Sequence, residues 1–365
     1  MSEAITDKIR SRLENANIPL LGTDLVSTQC LKAVTEDGGK ITVGITLGFP
    51  AQGYRQELQN LVRSAIAEVI GDAELEVTVD WDVVAHKVQQ GTQTLANVKN
   101  IIAVASGKGG VGKSTTAVNL ALALQAEGGR VGLLDADIYG PSQPRMLGVS
   151  KQRPESTDGK SMEPVVGHGI QSMSIGYLLP DEETPMIWRG PMVTQTLEQL
   201  LRETRWNDLD YLVIDLPPGT GDTQLTLSQR IPVSGAVIVT TPQDISLIDA
   251  RKGLKMFEKV NVPVLGIIEN MSIHICSQCG HQEPIFGSGG GSRMAEDYSV
   301  ELLGQLPLDA KVRENVDNGH PSVVEDPESS VSQIYRSMAR RVSAKLSLQA
   351  KDYSAKFPKI VIENN

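Results

Sequence analysis

A glycine-rich segment, residues 107–114, constrains the fold of this chain more than any other feature of its sequence. It reads Gly-Lys-Gly-Gly-Val-Gly-Lys-Ser and matches the G-x-x-x-x-G-K-[ST] spacing of a phosphate-binding loop. An apolar run at 101–105 precedes it, and a helical pattern at 113–127 follows it. This strand-loop-helix context predicts a nucleotide site, and a glycine-rich turn without a ligand is the plainer alternative.

The residues of the loop have expected roles at the phosphates. The glycines let successive backbone N–H groups turn toward one anion without Cβ clashes, and the helix that follows adds its positive amino end. We expect Lys113 to lie against the β- and γ-phosphates, Ser114 to place its hydroxyl on magnesium, and Thr115 to contact the α-phosphate. The predicted nucleotide contacts in this segment are Gly107, Lys108, Gly109, Gly110, Val111, Gly112, Lys113, Ser114 and Thr115.

Hydrolysis also needs a carboxylate near the magnesium ion and a group that orients water, and three aspartates are candidates. Asp215 ends the apolar run 211–215, at the carboxyl edge where open α/β sheets bind ligands. Asp135 and Asp137 follow the run 130–134, and we expect Asp137 to position the attacking water. Helix capping or turn formation is the alternative for each aspartate.

Two further residues near the phosphates carry predictions. The turn Pro217-Pro218-Gly219 is rigid, and we expect the N–H of Gly219 to sense the γ-phosphate and to reshape the loop on hydrolysis. Lys108 lies inside the phosphate loop, where it has little room beside Lys113 on the same phosphates. A solvated loop lysine is the alternative for Lys108.

Strand and helix patterns alternate from residue 101 onward, which predicts a mainly parallel sheet with helices on both faces. The fold class is therefore α/β, a P-loop NTPase domain preceded by a small α/β domain. The predicted units are that small domain, a polar linker, the main domain and a tail that is partly disordered, at residues 1–84, 85–100, 101–350 and 351–365. The predicted strands of the main domain are 101–105, 130–134, 211–215, 236–240 and 264–268.

The small domain has its own pattern of helices and strands. Apolar residues recur at helical spacing between 54 and 70, and they alternate with polar residues from 75 to 81. We therefore predict a small α/β unit. Its expected elements are a helix at 5–16, strands near 25–33 and 40–47, a helix at 54–70 and a strand at 75–81.

Composition limits the partners and the compartment. The 365 residues carry a formal charge of -10 without a basic block, which disfavours binding to nucleic acid or to an anionic membrane. The start has no signal-peptide pattern, and no apolar stretch approaches the roughly 20 residues that span a bilayer. Three cysteines are too few for a disulfide framework. We therefore expect a cytoplasmic protein without stable membrane association.

Two of the cysteines form a C-x-x-C pair. Cys276 and Cys279 stand in the segment His-Ile-Cys-Ser-Gln-Cys-Gly-His, a turn that aims both sulfurs at one point, and thiolates select zinc or iron-sulfur clusters. One chain supplies only half of a four-thiolate site, and the remote Cys30 does not obviously complete it. The open alternatives are a structural zinc ion, a Cys2His2 site completed by His274 and His281, a redox disulfide and two uninvolved thiols.

Four segments together resemble the Mrp/ApbC group of iron-sulfur cluster carriers. They are the run 101–118, Asp-Ala-Asp-Ile-Tyr-Gly-Pro-Ser from Asp135, Asp-Leu-Pro-Pro-Gly-Thr-Gly-Asp from Asp215, and Glu-Asn-Met-Ser from Glu269 with the cysteine pair. That group belongs to the deviant Walker-A ATPases, together with the nitrogenase iron protein, ParA and MinD. The resemblance covers about residues 97–345.

The resemblance implies roles that the residues alone leave open. It implies that Lys108 acts across a two-fold interface and touches the nucleotide of the other subunit, as an arginine finger would. It also implies that Asn270 contacts the adenine, with capping as the alternative. In such a homodimer, two copies of Cys276 and Cys279 meet on the axis and supply four thiolates, enough for a [4Fe-4S] cluster.

The first 84 residues resemble, more weakly, the small domain of cytosolic iron-sulfur assembly factors. Some of those relatives have a cysteine after the central strand, but residues 48–51 here read Gly-Phe-Pro-Ala. We therefore expect this domain to dock a partner rather than to bind a cluster. Cys30 is expected to pack in a buried strand.

These predictions combine into one function. The chain is expected to be a homodimeric, magnesium-dependent ATPase that receives a cluster from a donor, binds it at Cys276 and Cys279, and delivers it to apo iron-sulfur proteins. Lys108, Lys113 and Asp137 are the expected catalytic residues. The alternatives are a ParA/MinD-like positioning ATPase and a zinc-containing regulatory ATPase. An apolar stripe along a helix at 329–348 is expected to be a core face rather than a membrane anchor.

Overall fold

The computed structural model describes residues 2–89, 91–180, 190–276 and 278–352. A small amino-terminal domain has its own hydrophobic core and a three-stranded sheet. Its elements are α1 (Ser2–Glu14), β1 (Leu31–Asp37), β2 (Lys40–Leu47), α2 (Arg55–Ile70) and β3 (Glu74–Trp81). β2 lies in the middle, antiparallel to β1 and parallel to β3. The side chains of β2 alternate between buried and half-buried, which places one face of the sheet on the core.

One strand of this domain is not where the sequence predicted it. The carboxylate of Asp24 accepts hydrogen bonds from the backbone N–H groups of Val26 and Ser27, both at 2.7 Å, so the chain turns there. β1 therefore begins only at Leu31, and the strand predicted near 25–33 is wrong in position. Cys30 lies just before β1, outside any strand, and it is buried as expected.

The first strand of the main domain begins at Val98, inside the predicted linker 85–100, and residues 82–97 connect it to β3. The elements of this domain are β4 (Val98–Ala105), α3 (Lys113–Ala126), β5 (Val131–Asp135), α4 (Gln143–Met146), β6 (Val165–Gly167), β7 (Ile170–Ser174), α5 (Gly190–Glu203), β8 (Leu209–Asp215), α6 (Asp222–Arg230), β9 (Gly235–Thr240), α7 (Asp244–Lys259), β10 (Val264–Glu269), β11 (His274–Ile275), β12 (Gln282–Glu283), α8 (Gly290–Asp297), β13 (Leu302–Gln305), α9 (Ala310–Asp317), α10 (Ser322–Glu325) and α11 (Ser330–Ser347).

Eight of these strands form one sheet in the order β13-β10-β9-β4-β8-β5-β7-β6. Every neighbouring pair is parallel except β6 and β7, which form an antiparallel edge. All residues of β5, β8 and β9 are buried, as in a sheet covered by helices on both faces. The predicted α/β fold class is confirmed. The five predicted strands are present, whereas the short strands β6, β7 and β13 were not predicted.

α11 joins the two cores. Its apolar stripe is buried at Val331, Met338, Val342 and Leu346, which confirms a core face. Ala344, on the same helix, packs in the core of the small domain. The described helices include none that is both long and apolar enough to cross a bilayer. The tail was predicted to be partly disordered. Residues from 353 onward lie outside the described part of the chain, so this stays a prediction.

A buried carboxylate at the end of α3 fixes the small domain to the main domain. Glu127 is fully buried and accepts hydrogen bonds from Arg336 at 2.9 Å and Arg340 at 2.8 Å, both on α11. It also accepts one at 2.7 Å from the backbone N–H of Gly53 in the small domain. The helix that begins at the phosphate loop therefore ends in a polar contact shared by both domains.

Candidate nucleotide and cysteine sites

The phosphate loop lies at the carboxyl end of β4, in the middle of the sheet. Gly110 and Gly112 each have a φ of 80°, a conformation that favours glycine. A Cβ at Gly112 would lie 2.2 Å from Nδ2 of Asn270, and a Cβ at Gly107 would lie 2.2 Å from the carbonyl carbon of Asp249 in α7. Glycine is therefore favoured at Gly112 by its backbone conformation and by the neighbouring Asn270 amide, and it is required at Gly107 because the backbone of α7 leaves no room.

A cavity of about 230 Å³ opens over this loop. Most predicted phosphate contacts line it, but Gly107 packs against α7 and Val111 is buried beneath the loop. The Lys108 side chain lines the cavity and has no hydrogen bond or ion pair with any residue that the structure describes. The lining residues are Ser106, Lys108, Gly109, Gly110, Gly112, Lys113, Ser114, Thr115, Asp137, Ser142, Met146 and Pro218.

Lys113 and Asp215 form a buried ion pair at the first turn of α3. The Lys113 side chain is 6% exposed and the Asp215 side chain is 0% exposed. The Lys113 ammonium also lies 3.2 Å from the hydroxyl oxygen of Ser114. The structure thus brings the predicted phosphate lysine, magnesium hydroxyl and strand-end carboxylate into one contact group. A hydroxyl and a carboxylate are the oxygen ligands that suit Mg²⁺, so these residues fit a magnesium nucleotide.

Asp135 and Asp137 occupy different environments. Asp135 is fully buried and lies beside Asp215 in the register of the neighbouring strands β5 and β8. Burial raises the pKa of Asp135 to about 7, and the Asp215 charge adds to this shift. Asp137 faces the cavity; burial raises its pKa, Lys113 opposes the shift and Asp215 adds to it. Of the two, Asp137 is the carboxylate that lines the cavity.

The sequence analysis missed Gln143, the first residue of α4. Its side-chain nitrogen donates to the Ser114 carbonyl at 3.0 Å and to the Asp215 carboxylate at 2.9 Å. Its backbone N–H donates to the Asp135 carboxylate at 3.0 Å. A glutamine in a loop beyond a strand carries no local signal for such a role, because the three partners meet only in the folded sheet.

Gly219 and Asn270 are both engaged with the loop region. The N–H of Gly219, predicted to sense the γ-phosphate, donates to the carbonyl of Ser106 at 3.0 Å. The Asn270 amide donates to the carbonyl of Val111 at 2.9 Å, beneath the phosphate loop. A γ-phosphate contact at Gly219 requires the first bond to open, and the adenine contact of Asn270 stays a prediction.

The cysteine pair lies on a small hairpin just beyond β10. β11 and β12 pair antiparallel, and the backbone N–H of Cys276 donates to the carbonyl of His281 at 2.9 Å. Gly280 has a φ of 71° and donates to the carbonyl of Cys276 at 2.8 Å, which closes the turn. Cys276 is half-buried and Cys279 is exposed. The tip of this hairpin therefore presents both thiols close to the surface.

The surroundings of the thiols favour a thiolate. Hydrogen bonds from the backbone N–H groups of Gln278 and Cys279, and then from the Cys279 thiol, lower the pKa of Cys276. Within the described parts of the chain, no three His, Cys, Asp or Glu side chains are grouped to bind a metal. The structure therefore does not bring the four Cys2His2 side chains together, and Nδ1 of His274 instead lies 3.2 Å from the carbonyl oxygen of Leu308.

A glycine-rich loop between a central parallel strand and a helix, with its lysine paired to a strand-end aspartate, defines a P-loop NTPase. Residues 97–343 match the family model described as NUBPL iron-transfer P-loop NTPase. Residues 6–79 match the model for iron-sulfur cluster assembly proteins. The chain belongs to the NUBPL iron-transfer P-loop NTPase family, and this membership confirms the resemblance drawn from its motifs.

Named relatives are similar over most of the chain. The iron-sulfur cluster carrier protein of Escherichia coli strain K12 is 52% identical over 347 residues, which cover 95% of this chain and 94% of that protein. The mouse iron-sulfur cluster transfer protein NUBPL is 51% identical over 254 residues, 69% of this chain and 79% of that protein. A solved nucleotide-binding protein from Archaeoglobus fulgidus, in complex with ADP, is 39% identical with a TM-score of 0.56; the match covers 64% of this chain and 90% of that chain.

Proposed function

We propose that this protein is an ATP-hydrolysing carrier that binds an iron-sulfur cluster between two copies of itself and transfers it to apo-proteins. One observation carries the proposal: the exposed thiol hairpin begins directly after the strand end that contacts the phosphate loop. Asn270 donates to the loop carbonyl of Val111, and Cys276 follows Asn270 by only six residues. A change at the nucleotide thus has a short covalent route to the thiols. The relatives named as cluster carriers support the same cargo.

The nucleotide half of the function rests on the residues around the 230 Å³ cavity. The loop N–H groups and the amino end of α3 bind the phosphates, and Lys113 leaves Asp215 to neutralise the β- and γ-phosphates. Ser114 and Asp215 are the residues that would hold magnesium, which would supply charge neutralisation at the transferred phosphate. Asp137, at the cavity wall, orients the attacking water.

The homodimer completes both halves of the function. Lys108 is a cation at the cavity rim whose ammonium has no partner among the residues described, so it is free to reach a nucleotide on a second protomer. Two protomers also bring four thiolates together, the number that a [4Fe-4S] cargo requires. Because closure of this interface depends on ATP, the cluster is bound in one nucleotide state and released in the other.

The partners follow from the same scheme. A cluster donor loads the cysteine hairpins, and apo iron-sulfur proteins accept the cargo. The small domain, which matches the cluster-assembly model but has no thiol after β2, docks one of these partners. The charge of -10 disfavours nucleic acid and anionic membranes as partners, in keeping with a cytoplasmic carrier.

Anaerobic reconstitution with iron and sulfide tests the cargo. We expect the wild-type dimer to bind about four iron and four sulfide ions. Cys276→Ala and Cys279→Ala should lose both ions, whereas Cys30→Ala, which removes a buried thiol of the small domain, should keep them. Zinc without sulfide in the wild-type protein would instead identify a regulatory zinc ATPase.

A further inference from the structure

Gln143 connects three parts of the nucleotide site that are remote in sequence. Its side-chain nitrogen lies 3.0 Å from the carbonyl oxygen of Ser114 and 2.9 Å from a carboxylate oxygen of Asp215. Both neighbours can only accept hydrogen bonds, so the orientation of the amide is settled by its surroundings. The side chain is enclosed, since Gln143 is 1% exposed. One neutral donor group thus bridges the phosphate loop and the end of β8.

The backbone of Gln143 makes a third connection. Its N–H donates to Asp135, which also accepts from the backbone N–H of Ser142 at 3.0 Å and from the hydroxyl of Ser174 at 3.1 Å. Pro144 follows as the second residue of α4, and its ring limits the backbone freedom of Gln143. Asp135, at the end of β5, therefore fixes the backbone of Gln143. The residue cannot move away from Asp215 without breaking these contacts.

A second observation concerns the other end of the same amide. The side-chain oxygen of Gln143 is buried and has no hydrogen-bond partner in the described residues. An unsatisfied buried acceptor is costly, so a donor such as ordered water is expected to meet it. Mg²⁺ usually keeps several of its waters in nucleotide sites and therefore brings such donors.

We propose that Gln143 is a positioning residue of the magnesium site: its nitrogen fixes the Asp215 carboxylate against Ser114, and its oxygen accepts from water that the metal orders. When Lys113 moves from Asp215 to the phosphates, Gln143 is the contact that still orients this carboxylate. The inference rests on the proposed nucleotide function. It concerns metal affinity rather than phosphate affinity, because Gln143 does not line the phosphate cavity.

The test compares ADP binding with and without Mg²⁺ by calorimetry, in the wild type and in Gln143→Met. This change keeps an unbranched side chain of similar size but removes the donor. We expect the Mg²⁺ affinity of the ADP complex to fall roughly 10-fold or more, as for residues that orient metal ligands, while metal-free ADP affinity changes less than about twofold. Gln171→Met is the control, because Gln171 donates to the Asn207 carbonyl at 2.9 Å outside the phosphate cavity.

The outcomes separate this inference from the proposed function. Equal Mg²⁺ affinity in Gln143→Met and wild type, or an equal loss of Mg²⁺ and metal-free ADP affinity, would overturn the role of Gln143. A wild type that binds ADP without any effect of Mg²⁺ would instead contradict the proposed function. If Gln143→Met does not fold, Gln143→Asn gives the same comparison, since its amide is one methylene too short to reach both acceptors.

Discussion

The ammonium of Lys113 is paired with the carboxylate of Asp215 inside the protein, where neither side chain is more than 6% exposed. The same ammonium is expected at the phosphates once a nucleotide binds. The ion pair therefore holds Lys113 in a buried position without nucleotide, and the lysine compensates the buried charge of Asp215. In the proposed function, nucleotide binding would exchange one anionic partner of Lys113 for another and would free Asp215 for the metal.

The first prediction concerns this ion pair. Lys113→Met should lower the free energy of unfolding of the nucleotide-free protein by about 3–5 kcal/mol, because it leaves a buried carboxylate unpaired. Lys113→Met combined with Asp215→Asn should recover most of the loss without restoring hydrolysis. Lys108→Met is the matched control and should stay within about 0.5 kcal/mol. Urea unfolding measures the stability of all three variants. Equal stability of Lys113→Met and wild type would contradict a stabilising role of the ion pair.

The second prediction tests whether Lys108 acts across the dimer. Lys108→Ala and Asp137→Ala should each abolish turnover, while Lys108→Ala retains some nucleotide binding. In an equal mixture, half of the dimers are mixed and each has one site with Asp137 in its own subunit and Lys108 from the other. ATPase activity should therefore recover to about a quarter of the wild-type value. A mixture as inactive as its components would show that Lys108 serves its own subunit.

The third prediction separates two glycines of the phosphate loop. Gly112→Ala should abolish nucleotide binding, because Gly112 has a φ of 80° and the new Cβ would meet Asn270 at 2.2 Å. At Gly109 the nearest atom to a new Cβ is 4.0 Å away, so Gly109→Ala should bind ADP within a few-fold of wild type. Calorimetric titration with ADP gives both affinities. Equal losses in the two variants would mean that loop flexibility, rather than space, sets the requirement.

The fourth prediction concerns the contact between the domains. Glu127→Ala should lower the free energy of unfolding by about 3 kcal/mol or more, because it removes the buried acceptor of Arg336 and Arg340. Glu68→Ala breaks the exposed ion pair with Arg12 and should cost less than about 1 kcal/mol. Urea unfolding followed by far-ultraviolet circular dichroism compares them. Similar small losses in both variants would show that the Glu127 cluster does not fix the domains.

The fifth prediction is a pH dependence at the amino edge of the sheet. Burial raises the pKa of Asp210, but hydrogen bonds from Arg130 and Lys99 outweigh it, and the net shift is downward. A lowered pKa means that this carboxylate stabilises the fold above its unfolded pKa near 3.8, and that the contribution is lost as pH falls through the folded value. Asp210→Asn should therefore reduce the free energy of unfolding at pH 7, and this loss should become smaller as the pH falls below 3.8. A loss that is constant across this range would argue against the shift.

Much of the fold could be predicted because its signals are local. The central strands β4, β8 and β9 are continuous apolar runs, and the glycine loop fixes what precedes and follows it. β6 and β13 were missed because three or four residues leave too short a pattern to distinguish from a loop. The strand predicted near 25–33 failed because the side chain of Asp24 turns the backbone, a local polar contact that apolar content does not show.

The candidate site divides in the same way. Lys113, Ser114 and Asp215 were predicted from motif spacing, and the structure brings them together. The bond between Asn270 and the loop carbonyl of Val111 was not predictable, because it joins residues 159 positions apart. The roles proposed for Lys108 and the cysteine pair involve a second protomer, so one chain would supply only half of their geometry.

The Glu127 contact also determines where a docking partner stands. α3 has 14 residues and is about 21 Å long, and it separates the small domain from the sheet edge that bears the thiol hairpin. A protein seated on the small domain beside Gly53 therefore starts roughly one helix length away from the phosphate loop, and the residue that contacts this loop, Asn270, precedes the cysteine hairpin. Transfer of the cluster would require either a partner large enough to span this distance or a movement of the small domain away from its contact with Glu127.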